Sequence, residues 1–584
     1  MHSFLCSLSI ATSALALVSA SPTVTIPAGT LQGATCSNGA SAFLSVPFAV
    51  PPVGNLRWTS PQAYNQTFPE NGYNATTRGP ICIQFGKDFS DPGTESEDCL
   101  YVNVWAPASA TSSSNLPVKV WVYGGGQQGG GIQNPLYDGC NLAAHDTLLV
   151  SINYRLGPLG YLTLDAAGIG GNFGTQDLIL GLEWVQSHIS AFGGDPKKVL
   201  LFGESAGATN VFILSTLPKA TSLFNAAIWE SGAGPQLATP VVANTLGTTY
   251  ATKLNCSNAD VAACLRSVST TTLQDTAPEG GLVIIYSNLN PLDFQPYVDS
   301  VTIPAQPWGV GPKVPMIFGS NADEGGLFAL GTYMSPIISP ENYTIFLNEN
   351  FGTAASLVAQ QYPLTLPAFN KSGFPAFTAI STIITQAQFT CPAYQAMLKA
   401  QANNISVYTY LNSHIPSCQW WPSLPAPAIP FVGATHTSEI PFVFGNGIGQ
   451  PLSSPNGTCN FTAQESVLSE SLVAAWTAMA ETGNPSVSGG LQWPQWDKSS
   501  SMGVTIVNGT TVGTVDYSFC EFWDMIDRVY LNFTDLSSGA NGTGGNGSTG
   551  TGSGTGNKSG AKGVEIGVCG LTLVVGIVIS VLVG

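Results

Sequence analysis

The chain has 584 residues, 44% of them hydrophobic and 9% charged, with a formal net charge of −17. So many apolar side chains can fill a large core, and the length admits one long α/β unit as readily as several smaller domains. A strongly acidic chain with few cations argues against nucleic acid and against anionic membrane surfaces as partners.

Residues 1–20, MHSFLCSLSIATSALALVSA, form an apolar run closed by the small residues Val18-Ser19-Ala20, the pattern of a secretory signal, although only His2 stands where a basic segment is usual. Export agrees with the N-x-S/T sequons at Asn65, Asn74, Asn255, Asn342, Asn370, Asn404, Asn456, Asn460, Asn508 and Asn532, and with those at Asn541, Asn546 and Asn557 further on. It also agrees with the cysteines. Apart from Cys6 in the leader and Cys569 in the apolar tail, an even set remains, with no C-x-x-C pair, and an even set in an exported chain reads as disulfides and not as metal ligands. The reading calls for no metal and no cofactor.

Along the chain from residue 21 to 537, the first element with chemical content is VKVWVYGGGQQGGG, residues 118–131, a strand-like run that ends in a glycine cluster. It resembles the HGGG-type motif whose backbone N–H groups meet a developing oxyanion, and a plain flexible loop is the alternative reading. Next comes KKVLLFGESAGATN, residues 197–210. Val199–Phe202 predicts a buried strand, the segment after Gly207 a helix, and Gly203-Glu204-Ser205-Ala206-Gly207 the turn between them. This is G-x-S-x-G in strand-turn-helix context, which exposes the serine at the end of a sheet. In VPMIFGSNADEGGLF a strand over 314–318 precedes a polar turn holding Asp323 and Glu324 and a helix near Gly326. The strand-like ISVYTYL leads to His414, and GATHTSEIPFVFG places His436 in a polar loop. From 538 to 563 the chain is a Gly/Ser/Thr/Asn linker too polar to fold on a core, and from 564 to 584 it is apolar. Small residues, a spacer and an apolar tail together read as a GPI-attachment signal cleaved between Gly554 and Ala561, with a single spanning helix as the alternative, so membrane attachment through the tail is expected.

A serine hydroxyl needs a general base, and the base needs a carboxylate to fix its tautomer, in the chain order Ser, acid, His. Beyond Ser205 only His414 and His436 qualify, and the loop position favours His436. The acids in between are Glu230, Asp260, Asp275, Glu279, Asp293, Asp299, Asp323, Glu324, Glu341 and Glu349. Catalytic groups gather beyond the carboxyl ends of strands, so Asp323 and Glu324 lead. The residues do not choose between these two, and either could instead cap the following helix.

Taken together, FGGDPKKVLLFGESAG (192–207), EDCLYVNVWAP (97–107), NYRLGPLGYL, GNFGTQDLILGLEWVQ, NADEGGLF and THTSEIPFVFG resemble the type-B carboxylesterases and cholinesterase-like lipases of the α/β-hydrolase superfamily. The resemblance runs from about residue 22 to about residue 535. It implies one large α/β-hydrolase domain with a mostly parallel central sheet flanked by helices and braced by disulfides. It implies Ser205 as nucleophile, Glu324 as acid, His436 as base, and Gly125, Gly126 and Ala206 as oxyanion donors. It implies the disulfides Cys82–Cys99, Cys256–Cys264 and Cys391–Cys520, and it makes Ser231 a serine that supports the acid. Of the remaining cysteines we pair Cys418 with Cys459 and Cys36 with Cys140. The family's glycine motif is usually followed by an aromatic residue, whereas here Gln127 and Gln128 follow, a departure that bears on the acyl pocket. The segment between Cys82 and Cys99 is short, polar and without tryptophan, which argues against a choline ester and against the long flap of a true lipase.

The function implied is a secreted or surface-anchored serine carboxylic-ester hydrolase acting on neutral or apolar esters, as small-molecule substrates, through an acyl-enzyme. The alternatives are a lipase or sterol esterase and, from another class, a non-catalytic adhesion or recognition protein like the neuroligins, which keep the fold and lack the nucleophile. The oligomeric state, the acyl chain and the alcohol are left open.

Overall fold

Short runs of β-branched and aromatic residues along the chain pair into one large sheet. The computed structural model describes residues 21–86, 91, 93–234, 236–257, 260–278, 294–417, 420–421, 424, 428–447, 450–451 and 458–530. In chain order the main strands are β1 (Thr23–Ile26), β2 (Gly29–Thr35), β3 (Ser41–Pro47), β4 (Tyr101–Ala106), β5 (Leu116–Val122) and β6 (Leu148–Ile152). They continue as β7 (Gly194–Glu204), β8 (Ala226–Glu230), β9 (Met316–Asn321), β10 (Val407–Asn412), β11 (Met502–Ile506) and β12 (Thr510–Thr514). Their order across the sheet is β1-β2-β3-β4-β6-β5-β7-β8-β9-β10-β11-β12, and the short strand Tyr73–Ala75 pairs with β2. Every pairing from β6 through β5, β7, β8, β9 and β10 to β11 is parallel. The pairings of the named strands at the margins are antiparallel, while Tyr73–Ala75 pairs with β2 in parallel.

Strands covered on both faces have no solvated side on which to place polar residues, so they read as continuous apolar runs. β6 (LLVSI) and β8 (AAIWE) are buried at every position. The helices used below are α1 (Gly157–Tyr161), α2 (Phe173–His188), α3 (Ala206–Thr216), α4 (Gly325–Tyr333), α5 (Ile440–Phe444) and α6 (Ala463–Thr482). α3 is buried along its whole length, its polar Thr209, Asn210, Ser215 and Thr216 as well as its apolar residues. α6 begins with a capping box in which Thr462 and Glu465 satisfy each other's backbone N–H groups. This architecture is the expected α/β-hydrolase fold, a mostly parallel central sheet flanked by helices.

Four disulfides brace it: Cys36–Cys140, Cys82–Cys99, Cys256–Cys264 and Cys391–Cys520. Cys418 lies outside the described residues, and with it the expected Cys418–Cys459 pair. The leader, the linker and the apolar tail lie outside them too. Among the described residues no helix is long and apolar enough to cross a membrane.

Two strand boundaries differ from the sequence expectation in the same direction. The strand expected over 199–202 ends at Glu204, and the one expected over 314–318 starts at Met316 and continues to Asn321. In both, polar residues keep the ladder going: Glu204 pairs with Glu230, and Asn321 pairs with Asn412. Because β5, β7 and β9 are mutually parallel through β8, their carboxyl ends lie along one edge of the sheet. The loops that leave that edge carry the candidate residues.

Candidate active site

The turn after β7 is tighter than the pentapeptide suggests. It consists of Ser205 alone, at φ 58 and ψ −127, between the end of β7 and the start of α3. A serine in this region is strained, at a cost of about 1–3 kcal/mol, and the surroundings hold it there. Its N–H donates to the Glu230 carbonyl at 2.9 Å, while its own carbonyl accepts from the Thr209 N–H at 3.0 Å. The flanking glycines are required by close approach. A Cβ on Gly207 would lie 2.1 Å from the Val122 carbonyl oxygen, and one on Gly203 would lie 2.5 Å from the same atom. Any larger residue would push α3 off the end of β5.

His436 is buried and its Nδ1 lies 2.7 Å from Glu324 Oε2, with the Glu324 side chain fully buried. The other oxygen, Oε1, accepts the Asn321 N–H at 2.6 Å, so this carboxylate is fixed at both ends. Glu324 therefore does not cap α4 with its side chain, although it occupies the position before it. Its neighbour Asp323 is exposed and accepts from the Ala434 N–H at 3.1 Å. Asp323 thus ties down the loop that carries His436 without reaching the imidazole. His414 is engaged elsewhere: Nε2 lies 3.1 Å from Glu465 Oε1 and Nδ1 bonds the Val507 carbonyl.

His436 Nε2 faces the end of β7. It lies 3.1 Å from Glu204 Oε1, but the two are not aligned for a hydrogen bond, and neither atom has a hydrogen-bond partner among the described residues. Ser205 follows Glu204 directly in the chain, at the end of β7. Phe328 from α4 and Phe389 pack against the imidazole with ring centroids at 5.0 and 4.7 Å. The glycine loop after β5 closes the other side. A Cβ on Gly124 would stand 2.8 Å from Ser205 Cβ, and Gly125 and Gly126 have φ of 105 and 63. Among the described residues, the N–H groups of Gly125, Gly126 and Ala206 take part in no hydrogen bond.

Beneath these residues lies a set of buried acids that the sequence reading did not single out. Glu204, Glu230 and Glu439 are almost fully buried. Burial first, then the neighbouring carboxylates, pushes the Glu204 carboxyl well above its usual range. Burial and Glu439 do the same to Glu230, and burial with Glu324 raises Glu439. Glu230 accepts from Trp476 Nε1 of α6 at 2.7 Å. Glu439 accepts from Asn321 Nδ2 at 2.7 Å and from the Ser231 hydroxyl at 3.3 Å. Ser231, expected to support the acid, acts through this network: its hydroxyl donates to Glu439 and accepts from Asn321, whose N–H holds Glu324. Their positions in sequence could have pointed to Glu204 and Glu230, which end the strands β7 and β8. No group of three or more His, Cys, Asp or Glu side chains able to hold a metal ion occurs among the described residues.

The model of the carboxylesterase family matches residues 20–523. The chain is 34% identical to a para-nitrobenzyl esterase of Bacillus subtilis, over 82% of this chain and 93% of that protein. It is 32% identical to a fumonisin B1 esterase of Sphingopyxis macrogoltabida, over 82% and 86% of the two chains. It is 31% identical to the acetylcholinesterase of Bungarus fasciatus, over 85% and 84%.

Proposed function

We propose, for a chain that belongs to the carboxylesterase family and is thereby a carboxylic ester hydrolase, that Ser205, His436 and Glu324 form its catalytic triad. The observation that carries this reading is the buried 2.7 Å contact between His436 Nδ1 and Glu324, at the sheet edge where strained Ser205 sits. Ser205 Oγ attacks the ester carbonyl carbon and its proton passes to His436 Nε2. Glu324 holds the Nδ1 proton and stabilises the imidazolium. The carbonyl oxygen, now negative, is met by the N–H groups of Gly125, Gly126 and Ala206. Collapse breaks the bond to the alcohol, which leaves with the proton from His436, and an acyl-enzyme remains. Water then repeats the sequence on the acyl carbon and releases the acid and free Ser205.

Phe328 and Phe389 beside the imidazole support neutral or apolar acyl groups as substrates. Ser205→Ala tests the reading: it leaves a folded protein with hydrolysis of p-nitrophenyl esters reduced by about three orders of magnitude or more. Near wild-type turnover in that variant would remove Ser205 from the mechanism. A p-nitrophenyl series from acetate to palmitate assigns the acyl chain, and a jump in activity at a substrate interface would reassign the enzyme to the lipases.

The leader pattern, the sequons and the C-terminal tail support an exported, glycan-bearing enzyme held at the cell surface. Phosphatidylinositol-specific phospholipase then releases active enzyme from cells. Enzyme that stays bound and retains Leu571 and Leu573 in its C-terminal peptide would favour a spanning helix.

A further inference from the structure

Gln127 stands where the related motif carries an aromatic residue, and the structure gives it an unusual setting. It is 3% exposed, and at φ 64 it extends the left-handed run of Gly125 and Gly126 as a non-glycine residue. Backbone held in such a region beside reactive groups points from conformation toward function. Its carboxamide is bound on both sides. Oε1 accepts from the Tyr161 hydroxyl of α1 at 3.0 Å and from Asn210 Nδ2 of α3 at 3.2 Å. Nε2 donates to the Ala206 carbonyl at 3.1 Å. A carbonyl can only accept, so this contact fixes which end of the amide lies against Ala206. The backbone is held as well, since the Gln127 carbonyl accepts the Gly157 N–H at 2.7 Å.

These bonds join the two halves of the oxyanion site. Gly125 and Gly126 belong to the loop after β5, whereas Ala206 belongs to the first turn of α3. Two loops that leave different strands keep a fixed spacing only if something ties them, and a misplacement of about 1 Å costs on the order of 100-fold in rate. With Oε1 occupied twice and Nε2 bound to Ala206, the Gln127 side chain is committed to protein partners and not to substrate.

We propose that Gln127, seated by Tyr161 and Asn210, is a positioning residue that locks the Gly125-Gly126 loop to Ala206 and so sets the oxyanion geometry for ester hydrolysis. The proposal rests on the assignment of Gly125, Gly126 and Ala206 as oxyanion donors. Its signature is a loss confined to the transition state: kcat falls, KM holds, and a trifluoromethyl ketone, which forms a tetrahedral adduct on the serine, loses affinity in step.

The test compares Gln127→Leu, Asn210→Ala and Tyr161→Phe with the wild type and Ser205→Ala. In Gln127→Leu, kcat on a p-nitrophenyl ester is expected to fall about 10- to 100-fold at an unchanged KM, with trifluoromethyl ketone affinity falling by a similar factor. Asn210→Ala and Tyr161→Phe, which each remove one bond to Oε1, are expected to give smaller losses of the same kind. Wild-type kcat in folded Gln127→Leu overturns the proposal, and so does a rise in KM at constant kcat, which would put Gln127 in substrate binding. If Gln127→Leu gives no folded protein, unchanged kcat in both partner variants overturns it. Failure of the proposed triad itself looks different: Ser205→Ala would then retain activity whatever the Gln127 series does.

Discussion

Two buried charged regions flank the same sheet edge and are built on opposite principles. At the start of α1, Arg155 and Asp177 of α2 form a two-pronged pair at 2.7 and 2.8 Å, and Arg155 reaches the Thr59 carbonyl at 2.9 Å as well. Positive and negative charge balance there, and each guanidinium contact is matched in the fork geometry that suits a carboxylate. Around His436, in contrast, Glu204, Glu230, Glu324 and Glu439 are buried together, and among the described residues no lysine or arginine pairs with any of them. Burial and neighbouring carboxylates raise Glu204, Glu230 and Glu439, so protons are retained within the cluster. A balanced pair serves the fold. An unbalanced cluster costs stability, and under the proposed triad it surrounds Glu324, the carboxylate that would stabilise an imidazolium on His436.

The comparison predicts that changes in the acid region strike turnover and changes in the ion pair strike stability. Glu324→Gln is the largest expected effect: with Nδ1 facing an amide, the tautomer is no longer enforced, and kcat is expected to fall by about 10⁴-fold while thermal unfolding shifts little. Loss of fold in place of loss of turnover would erase the distinction between the regions. Asp177→Asn is the mirror case. It leaves Arg155 buried without its counter-charge, and a destabilisation of about 3–5 kcal/mol by denaturant titration is expected, with activity following the folded fraction. A stable but inactive Asp177→Asn would mean that the pair belongs to the chemistry.

How much of this could be read from the chain depends on what each residue does. The strands were legible because strands buried on both faces are apolar throughout, as Val199–Phe202 is. Their carboxyl ends were not, because Glu204 and Asn321 prolong β7 and β9 with polar side chains that a hydropathy pattern reads as loop. The turn around Ser205 was legible from its glycines, since a Cβ at Gly203 or Gly207 would meet the Val122 carbonyl. The choice between Asp323 and Glu324 was not legible from the residues alone, because it depends on which of two adjacent side chains points inward at the start of α4. Glu439 and Glu230 join the site only through contacts between distant segments, Asn321 with α5's preceding turn and Trp476 of α6 with β8. No local spacing reports that. Gln127 was visible as a departure, but its partners Tyr161, Asn210 and Ala206 lie on other elements.

Glu230 gives the comparison a pH axis. Its carboxyl is raised well above 4.5 in the folded protein by burial, with Glu439 adding to the shift. A raised folded value favours the fold fully below the unfolded value, and the contribution is lost as pH rises through the folded one. Glu230→Gln keeps an acceptor for Trp476 and has no proton to lose. The stability difference between variant and wild type is therefore expected to be small at pH 4 and to move in favour of the glutamine as pH rises, by about 1.4 kcal/mol per pH unit between the two values. Denaturation midpoints at a series of pH values check this. A flat difference would mean that the Glu230 proton is shared so widely in the cluster that one residue does not report it.

The smallest expected effect separates two neighbours. Asp323 and Glu324 are adjacent, yet only Glu324 contacts His436, while Asp323 accepts the Ala434 N–H and lies against Gly433, where a Cβ would come within 2.3 Å of its Oδ2. Asparagine at 323 keeps an oxygen acceptor for Ala434 and loses only the charge. The residue is exposed, yet burial of its carboxyl raises its pKa while the Ala434 bond lowers it, so its charge is already disfavoured, and the hydrogen bond that remains is worth about 0.5–1.5 kcal/mol. Asp323→Asn is therefore expected to lower kcat by no more than a few-fold, with the shape of its pH–rate profile preserved, because the base and its carboxylate partner are untouched. The same measurement on Glu324→Gln supplies the contrast. If Asp323→Asn were the more damaging of the two, the carboxylate that orients the base would have to be reassigned to Asp323, and the buried contact at Glu324 would become part of the structural acid cluster.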